Sequence, residues 1–258
     1  MEQIGKVLDL GPKCTQSLFV DFSFAPECLK LLFSKLLGYF IILGAMFFKI
    51  PQILAILRNK SVQGLSLSMF VLELVGHMIT LSYNLRHGNP FSTYGETFFV
   101  ILQNVVILLL FFTYRKGQAS IIFFLLSAGF ASGAYTLLNE GLLPMETLQW
   151  LQAATIPIFT ASKVPQILSN FSNLNNASNL SFITFFMQFG GSAARVFTTL
   201  QEVDDQLILA GFLLGLILNG VLLAQIVIYN FSSKSVKKAS SASVSKEGTP
   251  KKKTKKVE

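Results

Sequence analysis

The apolar positions of this chain gather into seven long stretches separated by short polar segments. A helix needs about 20 apolar residues to cross a bilayer core of ~30 Å, and each stretch has that length. The stretches run over residues 36–57, 65–85, 95–114, 119–138, 147–170, 180–201 and 206–229. The pattern therefore predicts an all-α membrane protein with seven transmembrane helices.

Two of the predicted helices share a motif that is unusual in a membrane. Lys-Ile-Pro-Gln at 49–52 lies in helix 1, and Lys-Val-Pro-Gln at 163–166 lies in helix 5. Four crossings separate the motifs, so both copies point the same way across the membrane. A parallel repeat follows, with two three-helix bundles joined by one linker helix in a 3+1+3 arrangement. Parallel repeats of this kind place a ligand between the halves.

This arrangement divides the chain into five segments. A lumenal amino-terminal segment is followed by the first repeat, the linker helix region, the second repeat and a basic cytosolic tail. The predicted boundaries are 1–35, 36–114, 115–146, 147–229 and 230–258. The tail holds nine lysines between Lys234 and Lys256 without aromatic residues, which is typical of a disordered segment.

Charge and composition agree with this topology. Charged residues make up 13% of the chain, about half the usual share of ~25%. The net charge of +8 lies largely in the tail, which argues against nucleic acid as a partner.

Positive loops favour the cytosolic side, so the tail is expected there and Cys14 and Cys28 on the lumenal side. In an oxidising lumen these cysteines either form a disulfide or remain free thiols.

Ionisable residues inside the predicted helices are the first candidates for a site, because a charge in hydrocarbon is costly. Lys49 and Glu73 both lie about 13 Å from the predicted cytosolic surface, so they can form an ion pair. In the second repeat Lys163 takes the position of Lys49, but Gln188 replaces the acid. Lys163 then stays neutral, binds backbone carbonyls that a proline frees, or binds an anionic ligand.

Helix 6 adds a further cation, Arg195, which either extends toward the acids near its end or binds an anion. A surplus of buried cations suggests a phosphate ligand, held between Lys163 and Arg195. Amide side chains in the helices could hold the hydroxyl groups of a sugar, or could tie helices together. These residues are Gln52, Gln103, Asn104, Gln152, Gln166, Gln188, Asn219 and Gln225.

Prolines interrupt helices 1 and 5 at Pro51 and Pro165, which are candidate hinges or static kinks. The chain has only two histidines, and the sequence predicts neither a metal site nor a cofactor. No lumenal loop is long enough for a glycosyltransferase site, so an enzyme is not predicted.

The two Pro-Gln pairs in a seven-helix chain resemble the PQ-loop superfamily, which includes SWEET sugar transporters and cystinosin-type exporters and shares its fold with KDEL receptors. A closer resemblance is to the mannose-P-dolichol utilization defect 1 family. It rests on the segments 49–52, 60–61, 64–67, 72–74, 89–92, 95–96, 151–153 and 189–202.

The closer resemblance implies an endoplasmic reticulum protein that is needed to use dolichol-phosphate-mannose and dolichol-phosphate-glucose as lumenal donors. These donors feed N-glycans, O- and C-mannosylation and GPI anchors. Binding, presenting or flipping the lipid-linked sugar, and stabilising lumenal glycosyltransferases as partners, all remain open. A SWEET-like transporter of free sugar and a KDEL-receptor-like cargo receptor are the alternatives. Lys255 and Lys256 near the carboxyl terminus resemble a di-lysine retrieval signal that cytosolic coat proteins bind.

Overall fold

The computed structural model describes residues 9–63, 65–114, 119–161, 163–172 and 182–247, and over these ranges the chain is all-α. Its helices are α1 (Gly11–Phe19), α2 (Pro26–Phe47), α3 (Ile50–Asn59), α4 (Leu67–Arg86), α5 (Phe91–Tyr114), α6 (Ala119–Leu138), α7 (Met145–Thr160), α8 (Lys163–Ser172), α9 (Phe182–Glu202) and α10 (Gln206–Glu247). The pairs α2–α3 and α7–α8 are each one interrupted crossing, so the elements give the predicted 3+1+3 order.

Membrane-crossing character is strongest in four segments of the described chain. By length and composition, Pro26–Asn59, Phe91–Tyr114, Ile121–Leu138 and Gln206–Tyr229 can each span a bilayer. Buried polar residues occur both in these segments and in the remaining crossings, α4, α7–α8 and α9. The mixture indicates an apolar exterior around a polar interior.

The helical repeats pack in the same order within each half. In the first half, α5 lies between α2 and α4; in the second, α10 packs against α9 and against both α7 and α8. Between the halves, α2 packs on α9 and α4 packs on α7, while α6 packs on α4 and α5. We call α2–α5 the first unit and α7–α10 the second unit. The cavity described below lies where the two units meet.

Three apolar clusters hold these helices together. One lies inside each unit: Ile56, Phe70, Leu74, Ile107 and Leu108 in the first, and Ile167, Phe185, Leu222 and Ile226 in the second. A third cluster joins α4, α7 and α10 across the units through Ile79, Tyr83, Leu148 and Ile208. The units are therefore separate cores with an apolar contact between them.

Both interrupted crossings break just before their proline. α2 ends at Phe47 and α3 begins at Ile50, while α7 ends at Thr160 and α8 begins at Lys163. Proline lacks an N–H and its ring displaces the carbonyl four residues earlier, so regular helix bonding stops there. The breaks are a feature of the fold, whereas motion about Pro51 and Pro165 stays a prediction.

The first break is closed by Gln103 from α5. The N–H of Lys49 donates to Oε1 of Gln103 over 2.7 Å, and Nε2 of Gln103 donates to the carbonyl of Ala45 over 2.7 Å. In a continuous helix that N–H and that carbonyl would bond to each other. The side-chain amide is inserted between them, so the break leaves neither group unpaired.

Helix α1 lies against the beginning of α2 and is joined to it by a disulfide between Cys14 and Cys28. Leu10 and Leu18 pack with Cys28 beneath the short helix. We call this end of the bundle the disulfide end and the opposite end, which carries α3 and α8, the PQ end. α2 begins at Pro26, ten residues before the predicted first crossing, while the lumenal segment 1–35 stays a prediction.

At the other terminus, α10 continues to Glu247, whereas the sequence pattern predicted that the helix ends at 229 and disorder follows. Apolar periodicity does end there. Between 230 and 247 the segment contains neither glycine nor proline, and the first such residues are Gly248 and Pro250. Without a helix-breaking residue, backbone hydrogen bonding continues past the apolar region.

Candidate functional site

A buried lysine cluster lies near the PQ end of the first unit. Nζ of Lys49 donates to both carboxylate oxygens of Glu73 over 2.7 Å and to Oδ1 of Asn104 over 2.6 Å. His77 lies one turn further along α4, with Nε2 3.7 Å from Oε1 of Glu73. This is the ion pair expected from the equal depths of Lys49 and Glu73. The positive charge of this lysine is compensated.

The second unit repeats this cluster without the acid. Nζ of Lys163 donates to Oδ1 of Asn219 over 2.7 Å, just as Lys49 does to an asparagine on the third helix of its unit. Nδ2 of Asn219 donates to Oγ of Ser192 over 2.7 Å, and the side chain of Gln188 is exposed. Over the described ranges, no carboxylate lies within ion-pair distance of Lys163.

Arg195 differs from the expectation that it awaits an anion or extends toward the acids at the end of α9. It is 4% exposed, forms an ion pair with Glu96 of α5, and donates to the backbone carbonyl of Ser92 over 2.9 Å. A guanidinium cannot avoid its charge by losing a proton, and an acid from the neighbouring unit supplies the counter-charge. The predicted pair of free cations is therefore reduced to Lys163.

A second cross-unit ion pair lies closer to the disulfide end. Glu202 at the end of α9 accepts hydrogen bonds from the hydroxyls of Ser34 and Ser92, and its Oε2 lies 3.1 Å from Nζ of Lys35. Lys35 and the Glu202 side chain are 2% and 1% exposed. Asp9, which is exposed, approaches Lys35 at 3.4 Å. We call Lys35, Glu202, Ser34 and Ser92 the clasp.

A further contact at the same end joins α4 to the start of α10. The hydroxyl of Tyr83 donates to Oδ2 of Asp205 over 2.6 Å. Oδ1 of Asp205 accepts from the N–H groups of Leu207 and Ile208, so the residue also caps α10. Together with the clasp, this contact ties the units at the disulfide end, whereas the two lysine clusters toward the PQ end are each built within one unit.

A cavity of about 260 Å³ lies between the units. Its walls come from α4, α5, α7, α8 and α10. The acidic and basic side chains in the wall are His77, Glu96 and Lys163, and the other polar ones are Thr80, Asn84, Thr93, Tyr94, Thr97, Gln152, Thr155 and Thr160. Lys163 lies toward the PQ end of this space. The arrangement can hold a small polar group that carries one negative charge.

The structure distributes the predicted site residues unevenly around this cavity. Lys163 lines the cavity, and Asn219 accepts a hydrogen bond from it. Glu73 does not line the cavity but contacts His77, which does. Gln52, Gln166 and Gln188 are not among the lining side chains. Pro51 and Pro165 lie exposed at the helix breaks. Lys255 and Lys256 fall outside the described residues.

Tandem three-helix units around a central polar cavity, joined by a linker helix, define a multi-pass membrane protein of transporter type. The sequence signature of the PQ loop repeat matches residues 33–93 and 147–208, one stretch in each unit. Human solute carrier family 66 member 3 is 31% identical over 174 residues, which cover 66% of this chain and 81% of the relative. The chain belongs to the PQ-loop repeat family.

The fold also resembles a solved membrane transporter. A eukaryotic SWEET transporter structure aligns with a TM-score of 0.63 over 80% of this chain and 99% of its own. Sequence identity in that alignment is 18%, so the likeness concerns the fold. It agrees with the 3+1+3 order read from the helices.

Proposed function

We propose that this protein binds dolichol-phosphate-mannose and dolichol-phosphate-glucose in the endoplasmic reticulum membrane, so that they serve as lumenal sugar donors. The observation that carries the proposal is Lys163, a cation in the cavity wall without a carboxylate partner among the described residues. The resemblance of the chain to the mannose-P-dolichol utilization defect 1 family supports the choice of lipid.

Charge balance around the cavity favours a ligand with a single negative charge. Lys49, Lys35 and Arg195 each have a carboxylate within the described bundle, whereas Lys163 has only the neutral amide of Asn219. An unpaired charge taken out of water costs several kcal/mol. A dolichyl-phosphate sugar is a phosphodiester with one negative charge, so its binding compensates Lys163 without leaving a new unpaired charge.

The same balance weighs against a neutral ligand. A free sugar can use the amides and hydroxyls of the cavity but leaves Lys163 uncompensated, so a SWEET-like role gains nothing from this residue. The sequence predicted a phosphate held between two cations, Lys163 and Arg195. Because Arg195 already forms an ion pair with Glu96, we propose that Lys163 alone binds the phosphate. One cation is the correct number for a diester.

Reconstituted liposomes with short-chain dolichol-phosphate-mannose test the proposal. Lys163→Gln should weaken binding about tenfold or more, since a hydrogen bond to a charged group contributes about 1.5–3 kcal/mol. Lys163→Arg should keep most of the affinity because it keeps the charge. Lys30→Gln, an exposed lysine on α2, is the matched control and should leave affinity unchanged.

Binding by Lys163→Gln equal to that of the wild type, at equal protein levels, would reject the proposal. Protein-dependent uptake of a radiolabelled monosaccharide would instead favour the free-sugar transporter. Capture of a carboxyl-terminal peptide that strengthens at mildly acid pH would favour the cargo receptor.

A further inference from the structure

Two oxygen atoms in the cavity wall have no hydrogen-bond partner among the described residues. They are Oε1 of Gln152 on α7 and Oγ1 of Thr80 on α4, and both are shielded from solvent. Gln152 as a whole is 7% exposed. A buried polar atom without a partner costs about 1–3 kcal/mol, so native proteins rarely leave one unpaired. The two atoms therefore indicate a place where a bound molecule completes the wall.

Three neighbouring polar groups of the cavity wall already have hydrogen-bond partners. The hydroxyl of Thr155 donates to the backbone carbonyl of Gln152 over 2.7 Å, and that of Thr160 donates to the carbonyl of Ile156 over 2.8 Å. Nδ2 of Asn84 donates to the carbonyl of Thr80 over 2.8 Å. Among the shielded side-chain oxygens of the described cavity wall, those without a partner are on Gln152 and Thr80.

The chemistry of the Gln152 amide oxygen excludes a phosphate as its partner. The amide oxygen of Gln152 only accepts hydrogen bonds, and a phosphodiester offers only acceptors. A hydroxyl group can donate to Gln152 and can also pair with the Thr80 hydroxyl, which donates and accepts. A hexose presents several hydroxyls in one rigid ring, so it suits both atoms at once.

Position along the chain separates this pair from the phosphate-binding cation. Gln152 precedes Lys163 by eleven positions, which in an uninterrupted helix would correspond to about 16 Å. Both side chains line the same cavity. Gln152 lies on the side of the disulfide end, and Lys163 on the side of the PQ end.

We propose that Gln152 and Thr80 form a hydroxyl-binding subsite that takes the hexose of an isoprenoid-phosphate sugar, with the phosphate at Lys163. The inference rests on the proposed function and adds an orientation to it. The sugar points toward the disulfide end and the phosphodiester toward the PQ end. Selection of a glycosylated lipid over the bare lipid phosphate is then a property of Gln152 and Thr80, whereas retention of any such lipid is a property of Lys163.

The test compares two ligands of equal charge in liposomes that contain the purified protein. One is short-chain dolichol-phosphate-mannose, and the other is the same isoprenoid phosphodiester with a methyl group in place of the sugar. We expect the wild type to prefer the mannose lipid. Gln152→Met removes the amide at similar size and should reduce this preference about five- to tenfold, the effect of losing one hydrogen bond.

Companion variants separate the subsite from a general loss of structure. Thr80→Val should reduce the preference in the same direction, while Thr160→Val, in the same cavity wall, should leave it unchanged because that hydroxyl is already bonded. Affinity for the methyl diester should stay constant in all three. Without ligand, Gln152→Met should unfold no earlier than the wild type, because it removes an unpaired buried group.

The outcomes distinguish the subsite from the function on which it rests. If the wild type binds neither lipid, the proposed function fails. If it binds both lipids equally, or if Gln152→Met keeps the full preference, the subsite is wrong and water alone satisfies the two oxygens, while lipid binding at Lys163 stands.

Discussion

Removing the lysine of the clasp should strongly destabilise the protein. Lys35 and Glu202 are almost fully buried, and Nζ lies 3.1 Å from Oε2. Lys35→Met leaves the carboxylate with two hydroxyl partners but no cation. Breaking a buried pair in this way costs about 3–5 kcal/mol. Asp9 contributes little to that figure, because its side chain is 71% exposed.

A double variant separates the effect of leaving the Glu202 carboxylate unpaired from the effect of losing the Lys35 side chain. In Lys35→Met with Glu202→Gln, both charges are gone and the new amide still accepts from Ser34. Most of the lost stability should return, since a buried pair can be replaced by neutral groups at little net cost. Lys30→Met, exposed on the same helix, is the control for a lysine-to-methionine change and should be nearly neutral.

Thermal unfolding of the purified protein in detergent measures the effect. For a chain of this size about 1 kcal/mol corresponds to about 2–4 °C, so Lys35→Met should lower the midpoint by about 6–20 °C. A midpoint within about 2 °C of the wild type, or a double variant no more stable than the single one, would refute the buried-charge argument.

The same variant should also loosen the disulfide end. Cys14 and Cys28 are the only cysteines and are bonded to each other, so Thr93→Cys in the cavity wall provides a single reactive thiol. Lys35→Met should increase its labelling rate by a water-soluble maleimide added from the disulfide side. Unchanged labelling would show that the clasp stabilises the fold without closing the cavity.

Two further predictions concern helix contacts in the first unit. Gly38→Ala should destabilise by about 1–3 kcal/mol, because the new Cβ would lie 2.6 Å from the backbone oxygen of Ser92, whereas Gly44→Ala on the same helix meets nothing within 4 Å and should be tolerated. Gln103→Leu should cost about 1–3 kcal/mol, because it leaves the N–H of Lys49 unpaired at the helix break. Thermal unfolding in detergent measures both, and equal midpoints for the two glycine variants or an unshifted midpoint for Gln103→Leu would contradict them.

The features that could be predicted from the sequence depend only on distances along the chain. Helix number and order follow from the lengths of apolar stretches and from the repeated Pro-Gln motif. Lys49 and Glu73 could be paired because equal depth in adjacent helices brings them together, and the repeat then located Lys163 as the lysine without an acid. Each of these steps needs only distances along the chain.

Contacts between the units were beyond that reasoning, because apolar periodicity does not state which helices are neighbours. Glu96 and Arg195 lie on α5 and α9, and nothing in their spacing brings them together. Lys35 fell one residue outside the predicted first helix, so its burial could not be expected. The signal that could have located the clasp is the matching depth of Lys35 and Glu202 once α2 is extended toward Pro26.

The two lysine clusters make the two repeated units differ in charge. In the copy that contains Glu73, the ammonium of Lys49 has its counter-charge within the same unit. The other copy has Gln188 in the position of Glu73, and Lys163 donates to the neutral amide of Asn219. An amide in one copy where the other has a carboxylate is thus the difference that makes the two halves electrically unequal.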